Sequence, residues 1–312
     1  MKPLITVGMT CYNAAGSIEA AIKSAINQDW SNLEIVIVDD CSTDNSWQLL
    51  QKLSNDYHQV KVFKRDVNGG PAAARNTILE NSSGEYICFF DDDDVSLPNR
   101  VSTQYLRLSS YEKHVDAPVA CYASGARRYD NDYELQIDAI GSKLQIPVAE
   151  DVADYLLFNN RNPSAFYGGG TPTCALMARK SVIEQVGRFD ENLRRVEDVD
   201  LAIRLAMAGG HFIGCPEKLY IQKATTGSDK TPEKNLESEL KLLDKHSDYL
   251  NSKGRLEYSK SWFKIRYYHF SDQRFKFLLS LSLFLVRFPI WGGRHLLLSA
   301  PNRLKHEKKM KQ

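Results

Sequence analysis

A doubly wound α/β fold with a mostly parallel sheet is what this chain predicts, and three observations carry the prediction. Apolar runs of strand length alternate with stretches of helical spacing through the first third of the sequence. The strand candidates are continuously apolar rather than alternating, as expected of strands covered on both faces. Each of the main ones ends in polar or acidic residues, most sharply where Tyr86-Ile87-Cys88-Phe89-Phe90 runs into Asp91, Asp92, Asp93 and Asp94. A βαβαβα order implies right-handed crossovers and parallel neighbours.

Residues 4–9 read as the first strand, and residues 17–27 as a helix through Ile18, Ala21, Ile22, Ala25 and Ile26. Residues 33–38 form a second strand that stops at Asp39-Asp40. Ser42-Thr43-Asp44-Asn45-Ser46 offers N-caps to a helix through Leu49, Leu50 and Leu53. Residues 60–63 are a short strand. Asn68-Gly69-Gly70-Pro71 is a turn opening a helix over 72–81, with Pro at its start. The strand over 85–90 follows, then a helix over 101–109.

Beyond this the pattern loosens. Residues 119–123 read as a strand before a polar stretch rich in Tyr, Asp and Asn. Gly168-Gly169-Gly170-Thr171-Pro172-Thr173 reads as a flexible loop before a strand over 174–178, and helices are predicted over 181–186 and 198–208. Residues 225–233 look like a linker, and Leu236, Leu240, Leu243 and Leu250 lie on a helical stripe beyond it.

With 312 residues, 43% of them hydrophobic, the chain can bury a sizeable core. A formal net charge of +1 supplies no global field for nucleic acid or membrane, so such affinity must come from a local patch. Six scattered cysteines without CxxC spacing suggest a reducing cytosol. The N-terminal apolar stretch is too short for a signal-peptide core. A cytoplasmic protein is expected, peripheral at most on the inner face of the cell membrane.

In a doubly wound sheet, the carboxyl ends of the strands line one crevice. Reading those ends in order gives Thr10-Cys11-Tyr12-Asn13, Asp39-Asp40-Cys41-Ser42 and the four aspartates. Two unit charges 4 Å apart repel by about 4 kcal/mol at an effective dielectric near 20. A cation relieves that repulsion, and hard oxygen ligands suit Mg²⁺ or Mn²⁺. A solvated acidic turn is the plainer reading of such a run; its place behind a central strand favours metal. Tyr12 offers a flat face and Asp40 an acceptor for a base or ribose group, so a nucleoside pocket is expected beside the metal. The Gly69-Gly70 turn offers backbone N–H groups to an anion. No GxxxxGK[ST] loop is present, and no GxGxxG follows the first strand, which argues against P-loop and nicotinamide chemistry.

The ordered set resembles the family-2 inverting glycosyltransferases of GT-A fold. It comprises Thr10-Cys11-Tyr12-Asn13, Val38-Asp39-Asp40-Cys41-Ser42-Thr43-Asp44, Asn68-Gly69-Gly70 with Ala74-Arg75-Asn76, and Gly84-Glu85-Tyr86-Ile87 through the aspartates to Leu97-Pro98-Asn99-Arg100. A second block, Val186-Gly187-Arg188-Phe189-Asp190-Glu191, then Glu197-Asp198-Val199-Asp200 and Arg204, completes it over residues 3–225. The resemblance implies Asp93 as principal metal ligand, with Asp91 beside it, and Asp91 and Asp92 toward the ribose. It implies Thr10, Tyr12, Asp40 and Arg75 on the nucleotide sugar, and Asp198 as general base with Glu197 and Arg204 as neighbours. The implied donor is a nucleoside diphosphate sugar, most often UDP-linked, and the acceptor a cell-surface glycan or lipid-linked hydroxyl. Without the upstream motifs, Glu197-Asp198-Val199-Asp200 would read as an acidic helix start.

One departure concerns the His that relatives often carry near the diphosphate. Here Leu219-Tyr220-Ile221-Gln222-Lys223-Ala224-Thr225 has none; Lys223 stands as a phosphate partner or a solvated residue, and His211 as structural. Two rival classes fit these residues less well. A sugar nucleotidyltransferase wants a Gly-rich, Arg-containing loop after the first strand, which residues 10–16 lack. A non-catalytic glycan-binding or scaffold relative has no need of Asp93 and Asp198.

Three segments are expected: residues 1–115 for the nucleotide sugar, 116–228 for acceptor and catalysis, and 229–312 as a helical extension. Within the extension, residues 275–291 are apolar and aromatic, and the end is basic. The unbroken apolar run over 277–286 is shorter than the roughly 20 residues a spanning helix needs. An interfacial helix and a helix packed on the domain or a partner subunit are both open; the basic end favours the membrane. A homo-oligomer is allowed, and nucleic acid is not expected.

Overall fold

The computed structural model describes residues 2–129, 131, 133–223 and 231–310, and only the backbone of 299–308 and 310. The linker expected over 225–233 therefore lies mostly outside the described residues, as do Ala224 and Thr225 and the side chains of Arg303, Lys305, Lys308 and Lys311. The chain divides into two units. One comprises Met1–Arg128, Glu134–Ala153 and Arg161–Ala224; the other comprises Tyr129–Tyr133, Asp154–Asn160 and Thr225–Gln312.

The first unit holds one sheet of nine strands: β1 Ile5–Cys11, β2 Leu33–Asp39, β3 Val60–Lys64, β4 Tyr86–Phe90, β5 Asp94–Ser96, β6 Val119–Arg128, β7 Glu134–Ile137, β8 Leu176–Arg179 and β9 His211–Lys223. Their order is β3-β2-β1-β4-β8-β6-β9-β5, with β7 paired to β6. The β3-β2-β1-β4 half is parallel, as expected for strands joined through α1 Ile18–Ile26, α2 Ser46–Asp56 and α3 Pro71–Asn81. β8 runs antiparallel between β4 and β6, while β6 and β9 are parallel.

Continuous apolar strands are buried throughout, as their sequence required. Val7, Met9, Ile35, Ile37, Ile87 and Cys88 expose nothing. Register then fixes the crevice. Cys11 lies opposite Asp39 and Met9 opposite Phe90, which brings Tyr12, Asp40 and Asp91 to neighbouring strand ends.

The remaining helices of this unit are α4 Arg100–Glu112, the start of α5 Glu150–Phe158, α6 Lys180–Gln185 and α7 Glu197–Met207. Four departures from the sequence reading have physical causes. β6 continues to Arg128, and the polar stretch after it holds β7 and α5. β9 was missed because Pro216 and Glu217 interrupt its apolar pattern; the register jumps from Ala123–Cys215 to Ser124–Lys218, so a bulge absorbs both. β5 begins inside the aspartate run, where charge masks its pairing with β9. The Gly168–Thr173 stretch is a packed turn rather than an open loop: Gly168 has φ 49°, and a Cβ there would lie 2.2 Å from Asp138 O.

The second unit is helical: α8 Pro232–Lys245, α9 Ser247–Ser252, α10 Leu256–Phe270, α11 Arg274–Arg287 and α12 Pro289–Met310. Thr231 Oγ1 accepts from the Lys234 N–H and Pro232 opens α8, a favoured helix start. The apolar tail is thus two helices, parted at Phe288-Pro289. Among the described residues no helix is long and apolar enough to cross a membrane. All six cysteines are free, and five are buried.

Candidate active site

The loops after β1 and β2 are laced together. Asn13, in the left-handed region at φ 51°, accepts the Thr43 N–H at 2.8 Å through Oδ1 and donates its own N–H to Ser42 Oγ at 2.9 Å. This turn lifts Tyr12 outward, 45% exposed, while its N–H donates to Asp92 Oδ2 at 3.1 Å. Thr10 is half-buried at the end of β1, opposite Val38.

Asp40 is buried, and its partners come from the same chain. Oδ1 accepts the Gly69 N–H at 3.0 Å and lies 3.0 Å from Arg65 Nε, while Oδ2 accepts the Gly70 N–H at 2.7 Å. This corrects the expectation for the glycine turn: its N–H groups meet an anion, but the anion is Asp40. The backbone curls this tightly because Gly70 sits at φ 85°. A carboxylate offers about four acceptor positions, and these three contacts leave Asp40 short of its full capacity.

Asp91, Asp92 and Asp93 are half-buried past β4, and Asp94 is buried on β5. Burial pushes the Asp92 carboxyl up to about 7, with Asp91 and Asp93 adding to the rise and the Tyr12 N–H opposing it. Burial, then Asp91 and Asp93, push Asp94 up to about 8. Burial also raises Asp91, against the pull of Arg75. Carboxylate oxygens of Asp91 and Asp94 and the Cys174 sulfur lie within 4.8 Å of one another. Asp94 Oδ1 is buried without a hydrogen bond, while Oδ2 is 3.4 Å from Gln222 Nε2. Mutually repelling carboxylates and an orphaned buried oxygen fit a divalent cation. Among the described residues, the grouping that could hold a metal joins Asp91 to Asp94 and Cys174, and nothing in the sequence pointed to the Cys174 contribution. The stretch lacking His supplies the neutral amide of Gln222, whose Oε1 accepts from Arg127 Nε at 2.8 Å; Lys223 is exposed.

Arg100 underlies this cluster and was not singled out from sequence. Buried, it donates to Gln104 Oε1, Ser96 Oγ, Phe89 O and Cys174 O, and stacks 4.3 Å from the Phe90 ring centroid. Its charge opposes the rise of the Asp91 and Asp94 carboxyls without cancelling it. Arg directly after Leu97-Pro98-Asn99, at a helix start behind the aspartates, was the available signal.

The second block folds onto α3. Arg75 Nη1 is 2.5 Å from Glu197 Oε1, and Nη2 is 4.0 Å from Asp91 Oδ1. Asn76 exchanges hydrogen bonds with the Phe189 backbone and donates to Glu191 Oε1 at 2.8 Å. Arg194 donates to Asn68 Oδ1 and O, both at 2.9 Å. Val196 precedes α7 at φ 60°, a strained setting for a β-branched residue, and presents Glu197 and Asp198 at the helix start. Burial and Glu197 push the half-buried Asp198 carboxyl up to about 6, against Arg75. Arg204, expected beside the base, instead holds Asp200 Oδ2 at 2.8 Å and the carbonyls of Val186 and Arg188. His211 Nδ1 meets Tyr111 Oη at 2.9 Å, a structural setting.

The profile of Glycosyl transferase family 2 matches residues 6–185. The Escherichia coli (strain K12) protein WcaA, named for a glycosyl transferase role in colanic acid biosynthesis, is 31% identical over 212 residues, 67% of this chain and 68% of that one. The Escherichia coli UDP-Glc:alpha-D-GlcNAc-diphosphoundecaprenol beta-1,3-glucosyltransferase WfaP is 35% identical over 101 residues, 32% of this chain and 39% of that one. The match thus spans well under two thirds of WfaP. In fold, the chain is similar to S. aureus TarS 1-349 in complex with UDP-GlcNAc, with a TM-score of 0.60 at 19% identity over 90% of this chain and 80% of that one.

Proposed function

We propose that this chain, which belongs to glycosyl transferase family 2, moves one sugar from a UDP-linked donor to a hydroxyl of a cell-surface glycan or lipid-linked acceptor, with inversion at the anomeric carbon. The observation that carries this reading is Arg75, which stands between the aspartate cluster and the Glu197-Asp198 block. Asp91 on one side of its guanidinium and Glu197, next to Asp198, on the other support a donor site adjoining a base. The WfaP name, with its UDP-Glc donor and diphosphoundecaprenol acceptor, supports the substrate class.

In this reading residues 1–115 hold the nucleotide sugar. Tyr12 stacks on the base, Thr10 lines the pocket, and the remaining acceptor capacity of Asp40 meets the base edge or ribose. Asp91 and Asp92 face the ribose side. Asp93 and Asp91 would hold Mg²⁺ or Mn²⁺, which supplies charge neutralisation to the leaving diphosphate. Residues 116–228 supply the acceptor side, and residues 229–312 the helical extension. Asp198 takes the acceptor hydroxyl proton as the acceptor oxygen bonds to the anomeric carbon and the bond to the diphosphate oxygen breaks. A carboxyl pushed up to about 6 is a stronger base than an ordinary aspartate yet still ionised at neutral pH. The place of work is the cytoplasmic face of the membrane.

The test is a panel of sugar nucleotides with and without Mn²⁺, read as nucleotide binding and as diphosphate release in the presence of lipid-linked acceptor. Binding of one UDP sugar with acceptor-dependent release is expected. No binding of any donor with metal present refutes the reading.

A further inference from the structure

Helix α11 carries two apolar faces, and among the described residues only one of them is covered. Phe284 is buried against Tyr258 and Trp262 of α10, with ring centroids 5.0 and 5.7 Å away. Helix α12 closes the same side. Gly292 abuts the Phe284 ring, where a Cβ would lie 2.9 Å from it; His295 Nδ1 meets Tyr258 Oη at 2.8 Å; and the Trp291 ring lies 3.8 Å from the Arg255 guanidinium carbon. The inner face is therefore a completed aromatic cluster.

The outer face is different. Phe275, Leu279, Leu283 and Val286 recur at helical spacing along α11 and are 79%, 50%, 62% and 81% exposed. Ile290 and Leu297, seven residues apart on α12, continue this exposure. Large exposed side chains in an ordered row, rather than scattered singly, mark an interaction surface.

The charge around this row says what fits it. No Asp or Glu occurs from Gln273 to Leu298, whereas Arg274, Lys276, Arg287 and Arg294 do. Arg274 and Arg287 pair with Asp272 and Glu257 in exposed settings, at 3.1 and 3.6 Å. Such pairs are weak in water and exchange readily for another anion. A second copy of this chain would set the same cations against each other. An apolar row flanked by cations matches a bilayer of anionic phospholipid, with acyl chains for the row and phosphates for the rim. At 14 residues α11 is too short to span, which leaves it in the plane of the interface.

We propose that the outer face of α11 and α12 docks on an anionic lipid bilayer. Phe275, Leu279, Leu283, Val286 and Ile290 enter the acyl boundary, while Lys276 and Arg294 meet lipid phosphate. This deepens the membrane placement proposed above but rests on the helical unit alone, so it stands or falls apart from the transfer reaction.

Full-length protein is sedimented with vesicles of phosphatidylcholine alone and of phosphatidylcholine with phosphatidylglycerol. Binding to the anionic vesicles, weak binding to the neutral ones, and release as salt rises are expected. The triple variant Leu279→Ser/Leu283→Ser/Val286→Ser should lower the bound fraction at least tenfold, while Leu144→Ser, an exposed apolar residue of the first unit, should not. Because the three substituted side chains are exposed, circular dichroism and the melting curve should be unchanged. Lys276→Gln/Arg294→Gln should keep apolar binding and flatten its salt dependence. Three outcomes overturn the proposal: no sedimentation of the parent protein, equal sedimentation of the triple variant, or a concentration-dependent dimer that the triple variant abolishes. Transfer to a soluble acceptor analogue by the triple variant tests the reaction separately.

Discussion

Arg75 and Glu197, 122 positions apart in the chain, form a buried ion pair 2.5 Å long. Asp91 lies 4.0 Å from the other side of the same guanidinium. One cation therefore joins the end of β4 to the start of α7. Its neighbour Asn76 repeats the tie through Phe189 and Glu191, so α3 works as the hinge pin between the two sequence blocks.

Removing one partner of a buried pair strands the other charge, at a cost of about 3–5 kcal/mol. Arg75→Ala should destabilise the protein by that order in urea denaturation and abolish turnover. Glu197→Gln should cost less, because Arg75 keeps Asp91. A double-mutant cycle that shows no coupling between Arg75 and Glu197 would refute the pairing.

The Asp198 shift has a defined sign. Its carboxyl, pushed up to about 6, takes a proton as pH falls through that value, whereas a base must be ionised. The rate constant kcat/KM should fall about tenfold per pH unit below about 6. Asp198→Asn should lose about 10²–10⁴-fold in turnover and keep nucleotide affinity. The raised value also means that folding favours the neutral form, so this carboxylate weakens the fold as pH rises from about 4 to about 6, and the cost is complete above that. Asp198→Asn should therefore be at least as heat-stable as the parent at pH 7.5.

Tyr12 is exposed at the end of β1, and its backbone N–H is tied to Asp92. Base stacking on an aromatic ring is worth about 1–3 kcal/mol by alanine substitution. Tyr12→Ala should weaken UDP binding about tenfold or more by calorimetry, Tyr12→Phe should not, and neither should shift the melting temperature.

Chelation should end transfer, and Mn²⁺ or Mg²⁺ should restore it. Because a cation relieves the Asp91–Asp94 repulsion, Mn²⁺ at a hundredfold excess over its Kd should add about 2.7 kcal/mol of stability. Asp91→Asn should lose most of that thermal shift. An equal Mn²⁺ shift in Asp91→Asn would remove Asp91 from the site.

The parallel strands β1 to β4 and their acidic ends were legible in the sequence because burial on both faces of a parallel sheet demands unbroken apolar runs. The ordered motifs carried the family as well. What was hidden depended on partners distant in the chain. Asp40 read as a ligand group, yet Gly69, Gly70 and Arg65 already occupy most of it, and nothing local announces that they curl back onto β2. Arg204 read as a neighbour of the base, yet its donors go to Asp200 and to two carbonyls of the loop before α7.

By itself the sequence determined which residues can carry charge and where strands deliver them: Tyr12 after β1, Asp40 after β2, four aspartates after β4, and Glu197-Asp198 at a helix start. Only the tertiary structure decided how those charges are balanced. Arg75 between Asp91 and Glu197, Arg100 beneath the cluster, and Asp94 with Cys174 and Gln222 are meetings of β4, β5, β9, α3, α4, α7 and the turn before β8. The physical reason is that a hydrophobic period reports which face of an element is buried. The choice of ion-pair partner depends on which elements the folded sheet places side by side.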